Sequence, residues 1–112
     1  AIASETQCSS ILTKIDRARS DGARLLTGGD RILSATGGTY IAPTVFADVD
    51  PWSDLAQEEV FGPVVGVTPF DDEAEAVALA NSTVYGLAAG VWTDTLSRAH
   101  RMVRALGHVL SV

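Results

Sequence analysis

The sequence predicts an α/β fold in which short strands alternate with helices and right-handed crossovers join the strands. Three observations carry that expectation. Apolar residues recur at helical spacing near both ends of the chain, short β-branched runs follow the helical stretches, and glycines stand where helices should stop. No internal repeat or low-complexity tract interrupts the pattern.

Ser4-Glu5-Thr6-Gln7 has the form of a capping box, in which the serine hydroxyl takes an early helix N–H and the glutamine reaches back. A helix is therefore expected from here to Gly22, whose freedom at positive φ suits a left-handed stop. Cys8, Ile11, Leu12, Ile15 and Ala18 share one face of it, while Ser10, Lys14 and Arg17 face away, so Cys8 is expected in the core. Ala23 to Thr27 reads as a short strand, Gly28-Gly29-Asp30 as a turn, and the segment through Gly38 as a polar link. Thr39 to Phe46 has strand composition, with Pro43 demanding an edge or a break. Asp48 to Ser53 is turn-rich and leads into a short helical approach, after which Val64 to Thr68 reads as a strand. The acidic run Asp71-Asp72-Glu73-Ala74-Glu75 suits a helix N-terminus, and that helix should end at Asn81. Leu87 to Thr93 then reads as a strand with Trp92 in the core. A last helix follows from Asp94 or Thr95 to Gly107, with Arg98, Arg101 and Arg104 as its solvated face. Gly107 to Val112 has the composition of a strand that stops without a turn signal, so the chain reads as a piece of a longer polypeptide.

The chain has 112 residues, 46% of them hydrophobic, enough for one ordinary core built mainly from Val, Ile, Leu and Ala. Its net charge is −6 and its few cations are scattered, which argues against a nucleic-acid partner. One cysteine cannot form an internal disulfide, and no Cys/His spacing suggests a metal site. No apolar run approaches membrane-spanning length, and no secretory signal pattern opens the chain. A cytoplasmic location is the expectation, with neither a nucleic-acid nor a membrane partner.

Gln57-Glu58-Glu59-Val60-Phe61-Gly62-Pro63 is the stretch with the most chemistry. An ionised glutamate offers only acceptor sites and can take hydrogen bonds from both hydroxyls of a ribose, and a phenylalanine two residues on offers an apolar face for a flat ring. Gly62 and Pro63 would hold such a loop to one shape. On residue type alone, solvated glutamates and a core phenylalanine explain the same letters. Gly28-Gly29 lacks the spacing and the Gly-Lys ending of a phosphate loop, so it reads as a turn. His100 and His108 show no relation that would make them a metal pair.

Glu58-Glu59-Val60-Phe61-Gly62-Pro63-Val64, followed by Asn81-Ser82-Thr83-Val84-Tyr85-Gly86-Leu87-Ala88-Ala89-Gly90-Val91-Trp92-Thr93, resembles the NAD(P)-dependent aldehyde dehydrogenase superfamily. Tyr40 to Val45 looks like the strand before that family's Glu-x-Phe-Gly-Pro loop, and Asp21 to Gly29 like its helix-to-strand turn. The similarity runs through nearly the whole chain in consistent order.

The resemblance implies an α/β piece of the catalytic domain over residues 1–112, with NAD or NADP as the cofactor of the parent enzyme. It implies that Glu59 hydrogen-bonds the nicotinamide ribose, that Phe61 packs by the nicotinamide, and that Gln7 lies near the ribose, although capping could be the whole role of Gln7. In the family a cysteine thiolate attacks the aldehyde and a glutamate activates water. Neither Cys8 nor Glu58 or Glu59 stands in those motifs, so the catalytic residues are expected outside this chain. The parent is expected to take an aldehyde substrate and to be a homo-oligomer. The isolated chain is expected to be inactive and to bind no cofactor. The alternative is a stand-alone non-catalytic module that acts by self-association or partner binding.

Overall fold

The computed structural model describes residues 1–107 and divides the chain into two compact units, Ala1–Pro69 and Phe70–Val112. The first unit opens with helix α1, Glu5–Ser20. Ser4 caps it by accepting from the Gln7 N–H, and Glu5 and Arg17/Arg19 stand where the helix dipole favours their charges. The stop is a Schellman arrangement. Gly22 lies at φ +93°, its N–H donates to the Arg19 carbonyl, and the Ala23 N–H donates to Ala18, both at 3.1 Å. The i, i+3, i+7 spacing of Cys8, Ile11 and Ile15, continued by Ala18, places one stripe in the core with Ile41, Phe46 and Val49. Cys8 is buried as expected, and Leu12 packs at the edge of the stripe.

Strands β1 (Arg24–Thr27), β4 (Thr44–Ala47) and β5 (Val64–Gly66) form one sheet in the order β1-β4-β5. β1 pairs with β4 antiparallel, and β4 pairs with β5 parallel in the register Thr44↔Val64 and Phe46↔Gly66. A parallel pair needs a crossover of a dozen or more residues, here supplied by residues 48–63 with the short helix α2, Asp54–Gln57. A separate two-stranded ribbon pairs β2 (Arg31–Ile32) with β3 (Tyr40–Ile41). The expected strand from Thr39 to Phe46 is thus two strands. Pro43 has no N–H for a ladder, so the break falls there and the halves join different sheets. β2 lies where a link is expected, because two residues are too few to show a period.

Gly28-Gly29 forms the turn. Gly28 lies at φ +75°, and a Cβ there would run into the Pro43 carbonyl, while the Gly29 N–H donates to the buried Thr44 Oγ1 at 2.8 Å. The same hydroxyl donates to the Ala42 carbonyl at 2.8 Å, so this buried polar group is satisfied on both sides.

The second unit contains helices α3 (Glu73–Ala80) and α4 (Leu96–Ala105). Asp72 caps α3 by accepting from the Glu75 N–H, and the Glu75 carboxylate accepts from the Asp71 N–H at 2.6 Å, a reciprocal cap. Arg101 forks onto the Glu73 carboxylate at 3.0 and 2.9 Å, and Arg98 lies 3.6 Å from it. Two of the three arginines expected as a bare solvated face therefore tie α4 to α3. Asn81 adds to this by donating to the Ala105 carbonyl and accepting from the Gly107 N–H.

The Arg101 hydrogen bonds, with the positive charge of Arg101 and Arg98, hold the Glu73 carboxyl below its ordinary pKa of 4.5 against a smaller opposing effect of burial. A carboxyl whose pKa falls on folding contributes fully above its unfolded value and loses that contribution as pH falls through the folded one. The α3–α4 contact is therefore expected to loosen in acid below about pH 4.5, and Arg101→Met should move the Glu73 carboxyl titration, followed by NMR, back toward the ordinary value.

The expected strand over Leu87 to Thr93 is not formed: residues 87–93 are irregular, and Trp92 is 93% exposed rather than in the core. A strand exists only with a ladder partner, and among the described residues none lies beside this segment. The strand expected at the C-terminal end, with His108, lies outside the described residues.

Candidate functional site

Helix α2 ends where Glu58 turns extended at φ −121°, and the five residues after it reach β5 as a loop. Three alternate carbonyls of that loop are held by the rest of the first unit. Lys14 Nζ donates to the Glu59 carbonyl at 2.8 Å, Gln7 Nε2 donates to the Phe61 carbonyl at 2.8 Å, and the Thr44 N–H donates to the Pro63 carbonyl at 2.8 Å. The Val64 N–H closes on the Gly62 carbonyl at 2.8 Å. Backbone groups are thereby satisfied by α1 and β4, and among the described residues the side chains of Glu59 and Phe61 are left free.

Phe61 sits at φ +54°, a left-handed conformation that costs a residue with a Cβ about 1–2 kcal/mol. Such a residue persists when its surroundings over-determine it, and the Gln7 bond to its own carbonyl is one such constraint. Gly62 supplies another. A Cβ there would meet Ile11 Cδ1 at 2.6 Å and Cγ1 at 2.9 Å, so only glycine lets the loop lie this close to α1. Ile11 is fully buried and has little room to yield. Gly62→Ala is expected to cost about 1–2 kcal/mol and to displace the loop, read as a lower urea midpoint together with a shifted Phe61 ring signal.

Phe61 is 69% exposed, so it is not part of the core that the described residues form. Glu59 is exposed, and among the described residues no donor engages its carboxylate. An acceptor-only group with open lone pairs thus stands two residues from an open aromatic face on a loop fixed through its backbone. That acceptor and ring fit a ribose diol and an adjoining flat ring. The three predicted residues, Glu59, Phe61 and Gln7, come together at this one loop. The Ser4 half of the capping box forms, whereas the Gln7 side chain reaches across to Phe61 instead of back to the helix start.

Lys14 is the residue that sequence reasoning missed. Read as facing away, it lies two helical turns from Gln7 and so shares its side of α1. It bonds the Glu58 carboxylate at 3.3 Å as well as the Glu59 carbonyl. Cys8, the one cysteine of the chain, is fully buried in the core and offers no accessible thiol. Among the described residues no group of three metal-ligating side chains is present, and no helix is long and apolar enough to cross a membrane.

Residues 1–109 match the Aldehyde dehydrogenase family. The chain is 54% identical over 105 residues to a betaine aldehyde dehydrogenase of Sinorhizobium fredii, covering 92% of this chain and 21% of that protein. It is 51% identical to acetaldehyde dehydrogenase 2 of Cupriavidus necator, with 95% and 21% covered. Among solved structures, an indole-3-acetaldehyde dehydrogenase complexed with NAD+ superposes with a TM-score of 0.91 at 50% identity over 94% of this chain and 21% of that one. The chain thus spans about a fifth of the length of these relatives. With the family match running through nearly all of its residues, the chain belongs to the aldehyde dehydrogenase family.

Proposed function

We propose that this chain is part of the catalytic domain of an enzyme that oxidises an aldehyde to a carboxylic acid with NAD(P)+, and that the Glu59-to-Pro63 loop is one wall of its nicotinamide riboside site. The observation that carries the reading is the Glu59 carboxylate, free among the described residues, beside the exposed Phe61 ring on a loop held by Lys14, Gln7 and Thr44. When bound, the nicotinamide supplies a hydride acceptor. Glu59 accepts from the ribose hydroxyls and fixes the sugar, and the Phe61 face packs by the ring, so that the acceptor carbon is held in one orientation.

In the reaction the aldehyde carbon gives up a hydride and gains an oxygen from water, by way of a thiohemiacetal and a thioester on a cysteine. That cysteine and the base that activates the water belong to other parts of the parent chain, because Cys8 is buried and no other thiol is present. The exposure of Val84, Leu87 and Trp92 supports the same view, since a soluble enzyme covers apolar surface of that kind. The parent is a cytoplasmic homo-oligomer in this reading.

The test is an assay of the full-length protein for aldehyde-dependent reduction of NAD+ or NADP+, alongside titration of the 112-residue chain with NAD+. Turnover by the parent and no saturable binding by the isolated chain are expected. A parent that reduces neither cofactor with any aldehyde would overturn the reading.

A further inference from the structure

We infer that Lys14 is a positioning residue for the nicotinamide loop, acting through the Glu59 backbone rather than by touching cofactor or substrate. This rests on the reading of Glu59 as the ribose ligand. The Lys14 ammonium stands between two acceptors of adjacent residues, the Glu59 carbonyl at 2.8 Å and a Glu58 carboxylate oxygen at 3.3 Å. One cation thereby fixes the peptide that carries Glu59 and sets a positive charge against the neighbouring carboxylate of Glu58.

The geometry gives each part a separate job. Gln7 holds the carbonyl on one side of Val60 and Lys14 the carbonyl on the other, from the same helix and two turns apart. The direction of the Glu59 side chain follows from the orientation of its peptide, and a loop tethered only from Phe61 onward leaves that peptide free to rotate. A ribose bound by two hydroxyls is sensitive to such rotation, since small misplacements of a reacting group cost rate more than they cost binding.

The Lys14 side chain is 31% exposed, and the Glu58 it meets is more so. Exposed pairs of this kind contribute little to global stability. The effect of losing Lys14 should therefore be local, and that separates positioning from a merely structural role.

The experiment compares Lys14→Met, Lys14→Arg and Glu59→Gln in the full-length enzyme. Three readouts are taken: the melting temperature, the rate of chymotryptic cleavage after Phe61 in the absence of cofactor, and kcat against KM for NAD+. For Lys14→Met the expected result is an unchanged melting temperature, cleavage after Phe61 faster by about tenfold, and kcat lower by about tenfold with KM changed less than about twofold. Lys14→Arg keeps a cationic donor and should restore most of both losses.

Wild-type cleavage and kcat in Lys14→Met would overturn the proposal, as would an arginine variant no better than methionine. Glu59→Gln separates the two levels. If it slows the enzyme while Lys14→Met does not, the positioning role alone fails; if Glu59→Gln is itself without effect, the ribose reading fails first.

Discussion

Glu59→Gln in the full-length enzyme is expected to lower kcat/KM for NAD+ by about 10- to 150-fold while leaving the fold intact. The size follows from the bond at stake, because a hydrogen bond to a charged group contributes about 1.5–3 kcal/mol, and a bond tightened only in the transition state is lost from the rate in full. Glutamine keeps the length of the side chain and one acceptor oxygen, but it replaces the second acceptor with a donor and removes the charge. It can serve one ribose hydroxyl, not both in the same manner. No protein donor engages the Glu59 carboxylate among the described residues, so the change breaks no bond among them, and the free energy of unfolding in urea should stay within about 0.5 kcal/mol of wild type. Stopped-flow measurement of the hydride step checks this, and unchanged rates would remove Glu59 from the site.

Phe46→Ala is expected to have the opposite profile, costing about 3–5 kcal/mol of stability through the cavity left by a fully buried ring. Whole domains are stable by about 5–15 kcal/mol, so this one change removes a large share. Phe46 sits at the centre of β4, the strand that pairs with β1 on one side and β5 on the other, and it packs on the Ile11 and Ile15 stripe of α1. The loss should reach the candidate site as well. Lys14 and Gln7 lie on α1, Thr44 on β4 and the loop runs directly into β5, so every group that pins Glu59 and Phe61 is mounted on the core that Phe46 fills. Denaturation in urea, followed by far-ultraviolet circular dichroism, measures the cost. A midpoint close to wild type would mean that the sheet is held by something other than this packing.

Helix α1 is readable from sequence because its signals are local. Ser4, the apolar stripe and Gly22 each act within a turn of their own position, and all three agree. Pro43 is readable for the same reason, since the missing N–H is a property of the residue itself. Pairing across sequence is a different matter. β2 is two residues long and owes its existence to β3, and the segment at Leu87 to Thr93 has strand composition without a partner among the described residues. Composition states that a residue tolerates a strand, and only a neighbour makes one.

The site divides along the same line. The chemistry of Glu59 and Phe61 is legible in their residue types, whereas their exposure is not, because a phenylalanine after valine is equally at home in a core. Lys14 gave no signal at all. Its partners are 44 and 45 residues away, and a lysine on the polar side of an amphipathic helix is the ordinary arrangement. The left-handed Phe61 is hidden for a related reason, as the conformation is imposed by Gln7 and by the close approach of Gly62 to Ile11, not preferred by phenylalanine.

The most direct measurement is a crystal structure of the full-length enzyme with NAD+ bound. The expected result places the Glu59 carboxylate within about 2.5–3.2 Å of the nicotinamide ribose hydroxyls, with the Phe61 ring against the nicotinamide and the Lys14 and Gln7 bonds to the loop intact. A nicotinamide ribose held by other residues, with Glu59 beyond hydrogen-bond distance of it, would contradict the account.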